Sequence, residues 1–543
     1  MLRSKKIALY ILSGTLVLSS CTKDFQKINV TPSFPTETTV QPLINGVIKT
    51  LFLKGQEQTS IHNDNYYPAT QLAGISAGSG YILDNGIHDI WSDYYSALQN
   101  MNSAQDIINN TADKETMNNI QAVLYILRAY KTFRITDQFG DIPYFDAGKA
   151  YTSNVARYRP KYDSQQEIYD SLLNDLKWAV VNIKTAAAPV SAAGNPYVSL
   201  GASDTFFGDD MTKWQTFANS LRLRYAMQMV EKDPAKAGEI VKDVLTGGAP
   251  LLDGDDAGGN IEDIGMWPKN FGLSLTDSRL WSFQNTYVRM SSTFWNIVSD
   301  GPDSSDIFDP RTYLFVETNQ AGKWAPFTIG SGITDNQKNA YGSDRDNNYN
   351  NKDNCVFSLF NYHLVRDIEF QPELFITPAE VHFLKAEAYA RGIGVAKNMN
   401  TAEDEYKAGI TASVNFWYYI AHNTNVTSDD WEAVAPPVPT PAQMTNFLNH
   451  PKVAFTGSDD DKLKKIYAQE WLSFFRQPWL AYNLWRRTGE TPSDPNVKDP
   501  THQNFYRLPY PQDEAVNNTT NYNAEIEKLG GANTSSVKVW WMK

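Results

Sequence analysis

The amino-acid sequence predicts a mainly α-helical protein, in which paired helices stack as a solenoid and a large loop-rich insertion interrupts them. A strongly periodic stretch from Ile120 to Ile135 carries apolar residues three and four positions apart on two faces. A helix with two apolar faces needs neighbours on both sides, as an inner helix of a stacked array does. Gly140 and Pro143 mark its end, because glycine favours helix termini and proline cannot continue a helix.

The same spacing, together with helix start signals, predicts the remaining helices. Ser164 opens a capping box with Glu167, and Thr377 precedes Pro378 and Glu380, which is the clearest helix start in the chain. The predicted helices come in pairs with short connections, as in tetratricopeptide-like solenoids, but without a regular period of about 34 residues. In chain order the predicted segments are 41–52, 87–108, 120–135, 168–183, 214–230, 234–245, 381–391, 401–419, 458–475 and 478–487.

Composition changes along the chain indicate its organisation. The insertion is rich in Gly, Asn and Asp, and long irregular stretches of this kind commonly carry function. Near the C-terminus, the prolines of 507–511 argue against regular helix. The predicted segments are a lipoprotein signal peptide at 1–20, a tether at 21–40, the first part of the helical body at 41–250, the loop-rich insertion and candidate ligand-binding region at 251–374, the second part of the helical body at 375–490, and an irregular C-terminal segment at 491–543.

The N-terminus carries the signals of an exported lipoprotein. Arg3, Lys5 and Lys6 precede an apolar run over 7–18, which is too short to span a bilayer but has the length of a signal-peptide core. The run ends in Leu-Ser-Ser-Cys, a lipoprotein cleavage box in which Cys21 becomes the acylated first residue. The alternative is an ordinary secretory signal with a chance cysteine. With lipidation, the lipid on Cys21 is predicted to be the only membrane attachment.

Charge and cysteine content argue against several function classes. Removing residues 1–20 takes away three positive charges, so the net charge moves from −13 to −16. An acidic surface argues against binding nucleic acid, or anionic lipid through a basic patch. Once Cys21 is acylated only Cys355 remains as a thiol, so no intrachain disulfide is expected. The seven histidines and two cysteines form no paired-ligand motif, and we predict neither a metal site nor a cofactor.

Several motifs, taken in order, resemble the SusD/RagB family of outer-membrane lipoproteins, and specifically its SusD-like branch. The resemblance implies a mostly α-helical cell-surface binding protein with four tetratricopeptide-like helix pairs. It also implies a partner, a SusC-like TonB-dependent outer-membrane transporter, to which oligosaccharides or, in some members, peptides are delivered for import. The motifs are Leu127-Arg128-Ala129-Tyr130, Phe139-Gly140-Asp141-Ile142-Pro143-Tyr144, Tyr287-Val288-Arg289-Met290-Ser291, Asp309-Pro310-Arg311, the run from Thr377 to Ala388, Trp485-Arg486-Arg487-Thr488-Gly489 and Arg507-Leu508-Pro509-Tyr510-Pro511.

Aromatic side chains in irregular stretches are the candidate ligand contacts. A site for polar oligosaccharides or peptides combines flat aromatic faces with amide or charged groups. The resemblance implies that such residues come from the segment before the second helix and from the insertion. We expect at least one tryptophan of the insertion to stack on ligand. The alternative for each tryptophan is that it only holds its own loop in place. The candidates are Trp267, Trp281, Trp324, Tyr66 and Tyr81, with Asn85 and Arg279 as hydrogen-bond partners.

Three function classes remain open at this point. The leading hypothesis is a nutrient-binding lipoprotein without catalytic residues. The second is a surface glycoside hydrolase, since an acidic chain can supply paired carboxylates, although nothing in the sequence singles out a pair. The third is a helical-repeat adaptor that binds no ligand.

Overall fold

A computed structural model of the chain describes residues 39–51, 53–76, 83–150, 158–185, 197–254, 288–330, 352, 355–362, 374–422 and 435–543. Helices dominate these ranges, which confirms the predicted fold class. Five of the sequence-predicted functional residues lie outside the described residues: Cys21, Tyr81, Trp267, Arg279 and Trp281.

The helices follow the predicted segments closely. None of those described is both long enough and apolar enough to cross a membrane. In chain order the described α-helices of four or more residues are α1 (Val40–Ile48), α2 (Leu83–Asn110), α3 (Asn118–Phe139), α4 (Gln165–Asn182), α5 (Met211–Gln228), α6 (Pro234–Thr246), α7 (Ser292–Val298), α8 (Thr312–Phe315), α9 (Pro378–Arg391), α10 (Met399–His422), α11 (Pro441–Leu448), α12 (Asp459–Ser473), α13 (Pro478–Thr488), α14 (Gln512–Asn517) and α15 (Thr519–Lys528).

Helix ends are set by the residues that the sequence singled out. The Ser164 side chain accepts a hydrogen bond from the backbone N–H of Glu167, and Thr377 accepts one from Glu380 at the start of α9. These contacts satisfy backbone donors that have no partner inside the helix. At the end of α3, Gly140 has a φ of +86°, which glycine adopts without the steric cost that other residues incur.

The helices pack as successive pairs around one hydrophobic core. α3 packs on α4, α4 on α5 and α5 on α6, while α9 lies along α10 and also contacts α5 and α12. The second part of the helical body thereby stacks on the first across the insertion. Leu124 of α3 and Leu384 of α9 are 0% and 3% exposed and belong to the same core cluster.

Truncating either of these leucines is expected to destabilise the whole protein. Leu124→Ala or Leu384→Ala should lower the free energy of unfolding by about 3 kcal/mol, because each removes buried methyl groups and leaves a cavity. Urea unfolding monitored by circular dichroism measures the change. Val181→Ala is the matched control, since Val181 lies on α4 but is 68% exposed. Unchanged unfolding of both leucine variants would show that the two faces are not core.

A small sheet joins parts of the chain that are far apart in sequence. Its strands are β1 (Ala73–Ile75), β2 (Val288–Met290), β3 (Val316–Glu317) and β4 (Leu359–Phe360), in the order β1-β2-β4-β3 with antiparallel neighbours. Gly74 is required in β1, because a Cβ atom there would lie 2.7 Å from the Phe327 ring. The sheet therefore anchors the segment before α2 against the insertion.

The last residues of the chain close the C-terminal end of α3. Trp541 Nε1 donates a hydrogen bond to Asp137 Oδ1 over 2.8 Å, and Asn483 Nδ2 donates to Asp137 Oδ2 over 3.0 Å. Arg507 Nε donates to the carbonyl oxygen of Phe139 over 2.9 Å. Burial raises the pKa of the Asp137 carboxyl to about 6, although its hydrogen bonds from Tyr169, Trp541 and Asn483 act in the opposite direction.

Two parts of the structure differ from the sequence prediction. Residues 491–543 were predicted to be irregular, but α14 and α15 lie within them, because Pro511 stands at the N-cap of α14 and does not interrupt it. Residues 57–66 form a π-helix, although their sequence is polar and shows no apolar spacing. Polar contacts add to the few apolar contacts of this π-helix: for example, Glu57 pairs with Arg134 over 2.7 Å.

Candidate ligand-binding site

Three chain segments continue from one end of the four-stranded sheet. β1 is antiparallel to β2 with Ile75 opposite Val288, so β1 ends where β2 begins. β2 is antiparallel to β4 with Arg289 opposite Leu359, so β4 ends at this same end of the sheet. The segments 77–82, 255–287 and 363–373 therefore connect to the described chain at neighbouring points.

The described chain ends that lead into the two regions selected by the sequence analysis lie side by side at this end of the sheet. An extended chain spans at most about 3.5 Å per residue. Tyr81 and Trp281 are consequently within about 25 Å of chain length of the paired residues Ile75 and Val288. Arg279 follows within two further residues of Trp281. The pairing of Ile75 with Val288 therefore holds the attachment points of both candidate segments next to each other, although the segments are about 200 residues apart in sequence.

Trp324 lies at the opposite end of the sheet. The backbone N–H of Ser358 donates to the carbonyl oxygen of Ala325 over 2.8 Å, and the N–H of Ala325 donates to Ser358 Oγ over 3.0 Å. Ser358 precedes β4, whereas the candidate segments connect where β4 ends. The structure therefore does not bring Trp324 together with the chain end at Val288 that leads to Trp281.

Trp324 belongs to a partly exposed group that we call the Trp324 cluster, formed with Trp295 and Tyr313. The Trp324 ring stacks on Trp295 with centroids 5.4 Å apart and planes 23° apart, and Tyr313 meets it edge-on at 6.1 Å. Trp324 Nε1 donates to Ser304 Oγ over 2.8 Å, which fixes the indole. Tyr313 was not among the sequence-predicted contacts; its position just after the Asp309-Pro310-Arg311 motif is the only signal that could have found it.

Two ionisable side chains, Tyr313 of the Trp324 cluster and Asp300 after α7, have shifted pKa values. Burial raises the pKa of the Tyr313 phenol, so this side chain is neutral and donates its O–H to the carbonyl oxygen of Ser304 over 3.1 Å. Hydrogen bonds from Lys452 and His450 lower the pKa of Asp300, which follows α7. The Asp300 carboxylate therefore stays ionised and is already engaged by Lys452 and His450.

Tyr66 and Asn85 occupy contrasting positions. Tyr66 is 0% exposed, its hydroxyl donates to Gln138 Oε1 over 2.8 Å, and its ring stacks on Tyr482 at 4.4 Å. The prediction that Tyr66 faces ligand is therefore wrong for this structure, because both its ring and its hydroxyl are used inside the core. Asn85 is exposed in the first turn of α2, directly after the segment that carries Tyr81.

Residues 32–511 match the family model SusD-like_2, described as "Starch-binding associating with outer membrane". This chain belongs to the SusD-like family. The match spans both parts of the helical body and the insertion between them, so membership extends over the sheet and the candidate site. No curated protein sequence matches the chain.

Solved structures of similar proteins share the SusD-like fold. A SusD homologue from Parabacteroides distasonis is 22% identical, with 93% of this chain and 98% of that chain covered and a TM-score of 0.69. A chitin-binding protein is 22% identical, with 93% and 100% covered and a TM-score of 0.66. A chitin-binding SusD homologue from Flavobacterium johnsoniae is 23% identical, with 92% and 98% covered and a TM-score of 0.64. At these identities the likeness establishes the fold.

Proposed function

We propose that this SusD-like protein is a lipid-anchored, surface-exposed outer-membrane protein that binds oligosaccharides and delivers them to a SusC-like TonB-dependent transporter, without catalysing a reaction. The family is described as starch-binding, and two of the similar solved structures are of chitin-binding proteins. Starch and chitin are both chains of pyranose rings, whose faces stack well on aromatic side chains. Oligosaccharides are therefore favoured over peptides as the ligand.

The end of the sheet where β1 finishes and β2 begins supports this role most directly. It holds the attachment points of the segments that carry Tyr81, Arg279 and Trp281, and Asn85 stands exposed at the start of α2. Two aromatic rings, an amide and a guanidinium are the combination that a pyranose needs, since the rings cover its faces and the polar groups bind its hydroxyls. Trp267 belongs to the same segment as Trp281.

Alanine substitutions test this site. Trp267→Ala and Trp281→Ala are expected to weaken oligosaccharide binding by about 1 to 3 kcal/mol while the melting temperature barely moves. Isothermal titration with starch and chitin oligosaccharides and with short peptides measures the binding, and differential scanning calorimetry measures the stability. Trp324→Ala reports separately on the Trp324 cluster. Trp178→Ala is the control, because Trp178 packs edge-on against Tyr125 of the helical body at 5.4 Å.

Binding and cleavage measurements distinguish the proposed function from its alternatives. If the insertion tryptophan variants lose stability and keep their affinity, the site lies elsewhere. Release of reducing ends from the same oligosaccharides would instead identify a glycoside hydrolase. An adaptor would neither bind nor cleave them. We expect binding without turnover.

Membrane attachment is tested independently of ligand binding. Cys21→Ala is expected to move the protein from the membrane fraction to the soluble fraction, because acyl chains on Cys21 are the proposed anchor and several chains hold a protein firmly. Fractionation followed by immunoblotting measures the distribution, with Cys355→Ala as the matched cysteine control. A Cys21→Ala protein that stayed fully membrane-bound would reveal a different anchor.

A further inference from the structure

A cavity of about 420 Å³ lies at the end of the sheet opposite the candidate site. Its wall is formed by Pro68, Ala69 and Gln71 from the segment before β1, by Trp485 of α13, and by residues of the loop 497–503. We call it the Trp485 cavity. Its volume falls within the range of roughly 300 to 1,000 Å³ that is usual for small-molecule sites. It shares no residue with the candidate oligosaccharide site or with the Trp324 cluster.

Gln71 is held rigidly in the wall of the Trp485 cavity. Its φ of +56° is uncommon for a residue other than glycine, and such a conformation persists only where the surroundings impose it. The side-chain oxygen accepts hydrogen bonds from Thr293 Oγ1 over 2.5 Å and from the backbone N–H of Asp494 over 2.8 Å. The carbonyl oxygen accepts one from Ser291 Oγ over 2.7 Å. These bonds fix the position of the remaining amide N–H₂ group.

Trp485 supplies a flat aromatic surface to the cavity. Its ring is half-buried and lies nearly parallel to Tyr506, with centroids 6.0 Å apart and planes 27° apart. Tyr482 supports it from within α13 at 5.9 Å. An aromatic ring braced in this way can stack on one face of a sugar ring without losing much conformational freedom on binding.

The Asp499 carboxylate of the cavity wall is already engaged, whereas several donors of the wall are not. Asp499 Oδ2 is 2.6 Å from His502 Nδ1, and Oδ1 accepts from the backbone N–H groups of Thr501 and His502. Within the described part of the chain, no hydrogen-bond or ion-pair partner engages the Lys498 ammonium, the Trp485 indole N–H or the Gln71 amide N–H₂. All three are donors, and one of them carries a positive charge. The cavity is therefore suited to a ligand rich in acceptors that carries a negative charge.

We infer that the Trp485 cavity binds a single sugar ring bearing a carboxylate, that is, a uronic acid unit. The ring lies against Trp485, the carboxylate pairs with the Lys498 ammonium, and the sugar hydroxyl oxygens accept from the Gln71 amide. A neutral sugar leaves the ammonium without a counter-charge, and a bare anion leaves the aromatic face uncovered. This site goes beyond the proposed oligosaccharide site in both its location and its ligand.

Titration of the mature protein with chosen probes tests the inference. The probes are D-glucuronate, D-glucose and acetate, and isothermal titration calorimetry measures the affinities. We expect D-glucuronate to bind more tightly than either of the others. Equal binding of D-glucose would overturn the role of the charge, equal binding of acetate would overturn the role of the ring, and the absence of saturable D-glucuronate binding would overturn the site.

A trisaccharide ending in glucuronate identifies the source of the ligand. Binding as tight as that of D-glucuronate assigns the site to the charged ends of oligosaccharides, whereas weaker binding assigns it to the free acid. Either result is compatible with the inferred site, provided that D-glucuronate itself binds.

A matched pair of lysine variants tests the assigned contact. Lys498→Gln is expected to weaken D-glucuronate binding about tenfold or more and to leave D-glucose binding unchanged. Lys114→Gln is the control, because Lys114 is an exposed lysine in the turn Lys114–Met117 and does not line the cavity. Equal affinities of the two variants for D-glucuronate would overturn the inference. Trp281→Ala should leave this binding intact, which separates the cavity from the proposed oligosaccharide site.

Discussion

Arg311→Met is expected to lower the free energy of unfolding by about 3 to 5 kcal/mol. Arg311 and Asp309 are both 0% exposed. The guanidinium donates two hydrogen bonds to the carboxylate, from Nε to Oδ1 over 3.0 Å and from Nη2 to Oδ2 over 2.6 Å. The same guanidinium donates to Ser413 of α10 over 2.9 Å and to Gln469 of α12 over 2.5 Å. Removing it leaves a buried carboxylate without its cation and separates the insertion from two helices of the body.

A double variant distinguishes loss of the ion pair from loss of packing. Asp309→Leu combined with Arg311→Met removes both charges, so it should be less destabilised than Arg311→Met alone. Urea unfolding of the parent, the single variants and the double variant completes the cycle. Lys407→Met is the surface control, since the Lys407–Glu403 pair is largely solvated and worth about 0.5 kcal/mol. A double variant less stable than Arg311→Met would show that packing dominates.

Stability is also expected to fall as the pH rises from about 5 to about 8. Burial of Glu470 raises the pKa of its carboxyl from 4.5 to about 8, although Arg487 acts in the opposite direction. A carboxyl whose pKa is higher in the folded state binds its proton more tightly there. The stabilisation that Glu470 contributes is therefore fully present below its pKa in the unfolded chain. It is lost as the pH rises through its pKa in the folded protein. The change amounts to about 4 kcal/mol across this window.

Glu470→Gln tests the origin of this dependence. Glutamine keeps the shape of the protonated carboxyl but does not ionise, so stability should fall less between about pH 5 and pH 8 in the variant than in the parent; the fall that remains comes from other carboxyls with a raised pKa, such as Asp137. Urea unfolding at several pH values provides the measurement. Glu490→Gln is the control, because the side chain of Glu490 is 48% exposed. If the free energy of unfolding depended on pH in the same way in Glu470→Gln and in the parent, Glu470 would not be the group that titrates.

Local sequence signals predicted the helices, but they could not predict the sheet. The caps at Ser164 and Thr377 were found because a cap and its partner lie three residues apart. Strands of two or three residues are too short to show an alternating pattern, and β1 pairs with a strand more than 200 residues away. Tyr66 was misread for a similar reason, because its polar surroundings resemble a loop and the ring that covers it belongs to Tyr482.

The candidate sites differ in how much of them the sequence could reveal. Residue type and irregular surroundings selected Trp281 and Trp324 together, yet the register of the sheet places Trp324 at the opposite end from Val288, the described residue from which the chain leads back to Trp281. The Trp485 cavity was not predicted at all, since Gln71, Trp485 and Lys498 come together only in the folded chain. In the sequence, Trp485 stands out only as part of the Trp485–Gly489 motif.

The closure of α3 by the chain's last residues also sets the timing of folding. Asp137 is synthesised early, but the indole that binds its carboxylate belongs to Trp541, 404 residues later. At roughly 5 to 20 residues per second, a ribosome needs about 20 to 80 s to cover that distance. Over this interval Tyr169, 32 residues after Asp137, is already available to the carboxylate, but the hydrogen bond from Trp541 is not, so the network around Asp137 is completed late. The C-terminal end of α3 is consequently among the later parts of the body to acquire all of its native contacts.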